Sequence, residues 1–290
     1  MTLNIAHISD LHIGVSETHD SFIEKQLGNI RSTDIDHLII TGDLTQSGRQ
    51  DEFQKTVHLL QKYDFLAAEK MTVIPGNHDL FSFFFQDFQL LRDIRTKLHR
   101  VPKAARDIYR YNRTNYETDL QRFNDYFHPT FSYTSGNTTS DHSLYPYIKV
   151  LNDSAALIAL ESNQLLPHFK TNALCSNGYI EPETTRKILA HEILQDKTKI
   201  VLLHHHLVPD KVVMQRAGRW IASTIKLRNR LEIIEIFKTF KVDLVLHGHY
   251  HFNDLYRLPG TNVNVINNGD NRNWSLIRLK AGSFDIIPAN

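Results

Sequence analysis

The sequence predicts an α/β fold of mixed sheets, two of them packed together and flanked by helices. Three observations carry that expectation. Short runs rich in Ile, Leu and Val alternate with helix-like stretches through the first third of the chain. The same alternation resumes in the second half, and the C-terminal tail breaks into short strand-like segments separated by turns.

The first strand-like run is "LNIAHIS" (3–9), followed by "HLIITG" (37–42) and "MTVIPG" (71–76), each ending in a polar or glycine-containing turn. Between them lie the helix-like stretches 21–30 and 49–63, the second with Phe53, Val57 and Leu60 at helical spacing. That order is the signature of parallel βαβ units covered by helices. From about 81 to 144 the chain turns aromatic and basic, helical at first and then Ser/Thr/Gly-rich, which reads as an insertion or cap on a single domain spanning 1–290. Segments 144–151 and 155–162 suit a hairpin around Asn152, Asp153 and Ser154. A helix over 183–195 leads to the strand 199–203, and a helix over 228–240 leads to 242–248. The tail is read as successive antiparallel strands.

Composition narrows the function classes. With 290 residues, 41% hydrophobic content and a formal net charge of +1, the chain has a large core and no charge excess for wholesale polyanion binding. No stable nucleic-acid complex is expected. The N-terminus is polar by its second residue and lacks signal-peptide character, no apolar run is long enough for a membrane span, and the single Cys175 has no partner for an internal disulfide. A cytoplasmic location is the expectation. Histidine is the outlier at 17 residues, about three times ordinary usage. His19, His99, His128, His142, His168 and His191 read as solvated surface residues.

Open α/β sheets place ligands beyond the carboxyl ends of their strands, and those ends are where the polar residues collect. Asp10 and His12 follow the first strand, Asp43 the second, and Asn77, His78 and Asp79 the third. His204, His205 and His206 follow 199–203, and His247, His249 and His251 surround the end of 242–248. Each motif alone is weak; their shared position at five strand ends is not. Asp, Asn and imidazole donors without thiolate suit divalent Mn, Fe or Zn, and the donors outnumber what one ion takes, so a bridged pair of ions fits better. Asp43, alone on its loop, is the natural bridge. Asp10/His12 and His249/His251, two apart on extended chain, are expected to point the same way. Gly42, Gly76 and Gly248 directly precede candidate ligands, where a sharp turn or close backbone approach is needed. Continued alternation through the histidine run puts His204 and His206 on one face and His205 on the other, without choosing between the first two.

In this order, "DLH", "GD", "GNHD", "HHH" and "GHYH" resemble the signature blocks of calcineurin-like metallophosphoesterases, in particular the bacterial branch similar to cyclic-nucleotide phosphodiesterases. The resemblance covers most of 3–79 and 196–270. It implies a four-layer αββα sandwich and a dinuclear centre, one ion held by Asp10, His12, Asp43 and His251 and the other by Asp43, Asn77, His204 and His249. It selects His204 from the histidine run and leaves His205 and His206 on the substrate side or behind the ligands. It makes His78 the catalytic histidine, supported by Asp79, with Asn77 and His78 also contacting substrate, and implies in-line attack on phosphorus by a hydroxide bridging the ions. Two divalent ions less two aspartates and a hydroxide leave about one positive charge to draw in a phosphate ester. One departure is that the histidine block runs His-His-His-Leu-Val-Pro, where the family often has His-His-Pro-Pro.

A phosphodiesterase is therefore the leading expectation, with a nucleotide among the candidate substrates. Hydrolysis of a nucleotide-sugar or lipid-linked diphosphate, or of a phosphomonoester, is the alternative, and a binding scaffold without catalysis is the reading from another class. Arg92, Arg95, Lys97, Arg100, Lys103, Arg106, Arg110 and Arg113 lie among aromatics in the insertion. They read first as a solvated helix face and second as a site for a larger anionic or amphiphilic substrate, with peripheral lipid contact. His7, His37 and His247 read as hydrogen-bonded core groups, and "NNGDN" (267–271) as pocket rim or plain turn.

Overall fold

Strands β1 (Leu3–Ile8), β2 (His37–Ile40) and β3 (Met71–Val73) run parallel, connected by helices α1 (Glu17–Ser32) and α2 (Gln50–Lys62). The structure, a computed structural model, describes residues 2–81, 101–131, 144–165, 176–218, 225–280 and 283–289. All of β2 and β3 is buried, as continuous apolar runs in parallel sheets require. Helix α1 starts where the Ser16 side chain accepts from the His19 amide, with Glu17 and Asp20 in its positive first turn. A short helix α3 (Asn77–Leu80) follows β3, and the long helix α4 (Val101–Phe127) comes next.

The second sheet holds β4 (Tyr147–Asn152), β5 (Ala155–Ala159), β6 (Thr198–Leu202), β7 (Leu244–His247), β8 (Asn253–Arg257) and β9 (Asn264–Asn268), with helices α5 (Pro182–Leu189), α6 (Asp210–Ala217) and α7 (Arg230–Thr239) between them. Strands β10 (Trp274–Lys280) and β11 (Ser283–Ala289) then return to the first sheet. The orders are β11-β10-β1-β2-β3 and β4-β5-β6-β7-β9-β8. Side-chain alternation defines the layers. Leu157, Ile200, Leu202, Leu244 and Leu246 share a core with the first sheet and with Ile23, Leu27 and Phe53 of its helices. Ile158, Val201 and Val245, on the opposite face, pack with Ile188, Ile233 and Phe237 of α5 and α7. Helix, sheet, sheet and helix are the four layers expected.

The tail differs from expectation. β8 and β9 are antiparallel, but β9 lies parallel to β7, and the chain then crosses to the other sheet, where β10 is antiparallel to β1. Segment patterns give no pairing partner: the connection through 258–263 folds β9 back antiparallel on β8, and β9 lies between β8 and β7 with Val265–Asn268 buried. The hairpin between β4 and β5 forms as expected, with Ser154 donating to the Asn152 side chain at 2.9 Å.

The described part of the 81–144 insertion joins the body core. Leu120, Phe123 and Phe127 of α4 are buried, and the Tyr126 ring stacks on Phe53 of α2 with centroids 5.0 Å apart. Arg110 and Arg113 are exposed, as a solvated helix face predicts. Residues 82–100 and 132–143, which carry Arg92, Arg95, Lys97 and Arg100, lie outside the described residues, as do His168 and Cys175.

Lys149 of β4 is buried between the sheets. Its ammonium donates to the carbonyls of Ala68 at 2.8 Å, Met71 at 2.8 Å and Thr130 at 2.6 Å, and burial pushes its pKa down to about 7. A methionine keeps the stem but strands three acceptors. Lys149→Met is expected to cost about 2–4 kcal/mol in urea unfolding, and an unchanged midpoint would show that these bonds contribute nothing net.

Candidate metal centre

The loops after β1, β2, β3, β6 and β7 meet at one edge of the sandwich. Backbone bonds tie them within each sheet, the Asp10 amide donating to Gly42 at 3.0 Å, His12 to Asp43 at 2.9 Å and Gly248 to His204 at 3.1 Å, and the His249 amide crosses between the sheets to the Asp10 carboxylate at 3.0 Å. Asp10, His12, Asp43, His249 and His251 have φ of 55, 48, 51, 66 and 28°, a left-handed conformation that side-chain-bearing residues rarely adopt. This corrects the extended geometry expected for Asp10/His12 and His249/His251. Successive left-handed turns, not strand alternation, bring those side chains inward. The glycines flagged in sequence are required by close approach. A Cβ at Gly76 would lie 2.1 Å from Asp43 Oδ1, and one at Gly248 would lie 2.0 Å from Ser9 Oγ.

Seven side chains converge as two donor sets sharing Asp43. One atom from each of Asp10, His12, Asp43 and His251 lies within 4.8 Å of the others, and the same holds for Asp43, His204 and His249. Asn77 joins the second set through Oδ1, 3.1 Å from His204 Nε2. The nitrogens His249 Nδ1 and His204 Nε2 face each other at 3.2 Å, and His12 Nε2 and His251 Nε2 at 3.4 Å. Asp43 Oδ1 accepts from the His78 amide at 2.8 Å. Its Oδ2 is buried, accepts no well-formed hydrogen bond, and lies 3.4 Å from His204 Nε2 and 3.8 Å from His12 Nε2. Imidazole nitrogens converging on a buried carboxylate oxygen that lacks a well-formed hydrogen bond are a donor set that divalent cations would satisfy, so the residues fit the metal pair inferred from sequence.

Protonation follows the same logic. Burial pushes His12 down to about 3 and, with His205 and His204 nearby, holds His249 well below the usual range, so both rings are neutral donors. Burial opposes ionisation of Asp43, but His204, His78 and His12 outweigh it and hold the carboxyl well below its usual range. For His204 burial acts downward, while Asp43, Asp10 and the Thr41 carbonyl lift the ring to about 9. Its Nδ1 donates to the Thr41 carbonyl at 2.8 Å, which aims Nε2 at Asp43. A pKa raised from 6.5 to about 9 supplies stability that is complete below about 6.5 and lost as pH rises through about 9. In metal-free protein, the stability difference between wild type and His204→Gln should therefore shrink between those values in urea unfolding; a constant difference would contradict the pairing.

His78 lies beside the first set, its ring centroid 4.6 Å from that of His12. Its Nδ1 donates to the Gln46 carbonyl at 2.7 Å, so the lone pair is on Nε2. This corrects the support expected from Asp79. That carboxylate instead accepts from the amides of Leu44, Thr45 and Gly76 and from the Thr45 hydroxyl. Asp79 clamps the Asp43 loop to the Gly76 turn and reaches His78 only through the backbone it fixes. Burial, with Asp43 adding to it, pushes the Asp79 carboxyl up to about 7.

The alternation expected through the histidine run ends with β6 at Leu202. His205 turns to Ser162, its Nδ1 3.0 Å from the hydroxyl, and packs 4.4 Å from the His249 ring, while the His206 ring sits 5.2 Å from that of Tyr250. Both are buried behind His249 and outside the two donor sets. His7, bonded to Thr41 at 2.9 Å, His37, bonded to Thr72 at 2.8 Å, and His247, bonded to Tyr256 at 3.0 Å, are the hydrogen-bonded core groups expected. His19, read as a solvated surface residue, instead bonds the Leu11 carbonyl at 2.8 Å. Asn271 of "NNGDN" donates to the Asp10 carbonyl at 2.6 Å, a role that a turn-like composition hides.

The family model of the calcineurin-like phosphoesterases matches residues 3–253. A dimetal phosphatase from Danio rerio shares the fold at a TM-score of 0.59 with 9% identity, over 99% of this chain and 98% of that one. A purple acid phosphatase from yellow lupin superposes at 0.58 with 11% identity, over 99% of this chain and 51% of that one. GAP50, the anchor in the inner membrane complex of Plasmodium, superposes at 0.53 with 9% identity, over 100% of this chain and 89% of that one. No curated protein sequence matches. Among the described residues, no helix is long and apolar enough to cross a membrane.

Proposed function

The chain belongs to the calcineurin-like phosphoesterase family, whose model it matches over most of its length, and we propose that within that family it is a metal-dependent phosphodiesterase. The carrying observation is Asp43, whose buried Oδ2 stands between two donor sets without a hydrogen bond. Two divalent ions held there, drawn from Mn, Fe or Zn, would activate water and neutralise charge on the ester. Asp10, His12, Asp43 and His251 would hold one; Asp43, Asn77, His204 and His249 would hold the other. With only two carboxylates among these ligands, the centre keeps a positive charge that attracts one phosphate. With Nδ1 committed to the Gln46 carbonyl, His78 protonated at Nε2 would donate to a phosphate oxygen or pass that proton to the leaving oxygen. Asp79 acts by holding the Asp43 and Gly76 loops in register.

A cleft of about 730 Å³ opens beside His12 and His251. It gives a second ester substituent somewhere to go, which favours a diester over a monoester. With the family's two metal sets complete, hydrolysis is favoured over a scaffold role. Reconstitution with Mn, Fe and Zn, followed by assay on bis(p-nitrophenyl) phosphate and p-nitrophenyl phosphate, tests the reading. Faster hydrolysis of the diester is expected. Faster hydrolysis of the monoester would move the assignment to a phosphomonoesterase, and turnover of neither in any metal would favour the scaffold.

A further inference from the structure

Strand β5 runs parallel to β6, so the 161–163 loop that follows it opens at the same edge as the donor sets. It supplies none of their ligands, although Glu161, Ser162 and Asn163 are all buried there. We propose that Ser162 and Asn163 are positioning residues for the second ion, the one that Asp43, Asn77, His204 and His249 would hold. The inference rests on the metal-dependent reading above.

Ser162 grips the main chain of His204. The pairing of β5 with β6 stops at Ala159 and Leu202, and beyond it the Ser162 hydroxyl takes over. Its oxygen accepts from the amides of His204 and His205, each at 3.2 Å, and its proton goes to His205 Nδ1 at 3.0 Å. One donor and two acceptors use everything a hydroxyl offers. From the other side the Gly248 amide donates to the His204 carbonyl at 3.1 Å, so the peptide units before and after this ligand are both fixed. Alanine at 162 would leave two buried amides without an acceptor.

Asn163 grips the neighbouring ligand of the same ion. Its Nδ2 donates to the Pro75 carbonyl at 2.9 Å, two residues before Asn77. Asn77 Oδ1 and His204 Nε2 lie 3.1 Å apart and take no part in the first set, so both grips bear on one ion. The first set is tied elsewhere, with Asn271 donating to the Asp10 carbonyl at 2.6 Å. The loop itself is braced by Glu161, whose carboxylate accepts from the Asn163 amide and from the Tyr116 hydroxyl of α4. Groups that orient metal ligands set affinity by limiting how far each ligand strays from its place.

The test titrates manganese into the metal-free protein, read by calorimetry and by electron paramagnetic resonance. Ser162→Ala and Asn163→Ala should each weaken the second ion about ten- to a hundred-fold and leave the first unchanged. Half-loaded protein then holds isolated ions, and their simple hyperfine pattern should persist to manganese concentrations at which wild type shows a coupled pair. Lys149→Met, which loses its bonds to the Ala68, Met71 and Thr130 carbonyls, controls for lost stability and should titrate as wild type. In a His204→Ala background, which lacks the second ion, Ser162→Ala should leave the affinity of the remaining ion unchanged. Wild-type titration in either loop variant, equal weakening of both ions, or a matching shift in Lys149→Met would overturn the proposal. A wild type that takes up two ions while the loop variants match it defeats this inference alone; a wild type that takes up fewer than two defeats the paired-metal reading with it.

Discussion

Asp43→Asn is expected to abolish paired metal binding and lower diester hydrolysis by more than about a hundred-fold, a loss already reached when residues that merely support a ligand are removed. Asp43 is the one residue common to both donor sets. Its Oδ1 is committed to the His78 amide at 2.8 Å, so the burden of bridging falls on Oδ2. An amide has the same shape but no charge, and its N–H would donate to the His204 and His12 lone pairs that a cation should occupy. The metal-free variant should therefore stay folded, which separates this effect from a collapse of the loop. Metal analysis and thermal unfolding after chelation check both parts. A variant that keeps two ions and its activity would show that Asp43 does not bridge.

The second large effect discriminates within the histidine run. His204→Ala should lose one ion and most hydrolysis, because Nε2 lies 3.4 Å from Asp43 Oδ2 and 3.1 Å from Asn77 Oδ1, with the ring oriented by the Thr41 carbonyl. His206→Ala should keep both ions, since that ring packs on Tyr250. Its cost is one of packing in a buried site, expected at about 1–3 kcal/mol of stability with the metal content unchanged. The reverse pattern in metal analysis would mean that the run is read one turn out of register.

The donor residues were legible because strand ends in an α/β sheet are short, and an Asp, Asn or His there has few places to go. Asp10, His12, Asp43, Asn77, His204, His249 and His251 all come together. How they do so was not legible. Left-handed backbone at Asp10, His12, Asp43, His249 and His251 leaves no trace in residue type, since its cost is met by contacts from other loops. Asp79 misled for a related reason: its place beside His78 in sequence suggests pairing, but amides from Leu44, Thr45 and Gly76 claim its oxygens first. The tail shows the same limit in the fold. Its strands could be located from pattern, whereas the crossing from β9 to β10 depends on which sheet has an open edge. Lys149, read only as part of a strand, became a tie between the sheets because three carbonyls from distant segments surround it.

The central claim is a pair of ions bridged by Asp43. Electron paramagnetic resonance of the manganese-loaded protein reads it directly, because two ions sharing a bridge couple magnetically. Wild type should give the many-line spectrum of a coupled pair, reverting to the simple hyperfine pattern of isolated ions in His204→Ala. An isolated-ion pattern in fully loaded wild type would contradict the account.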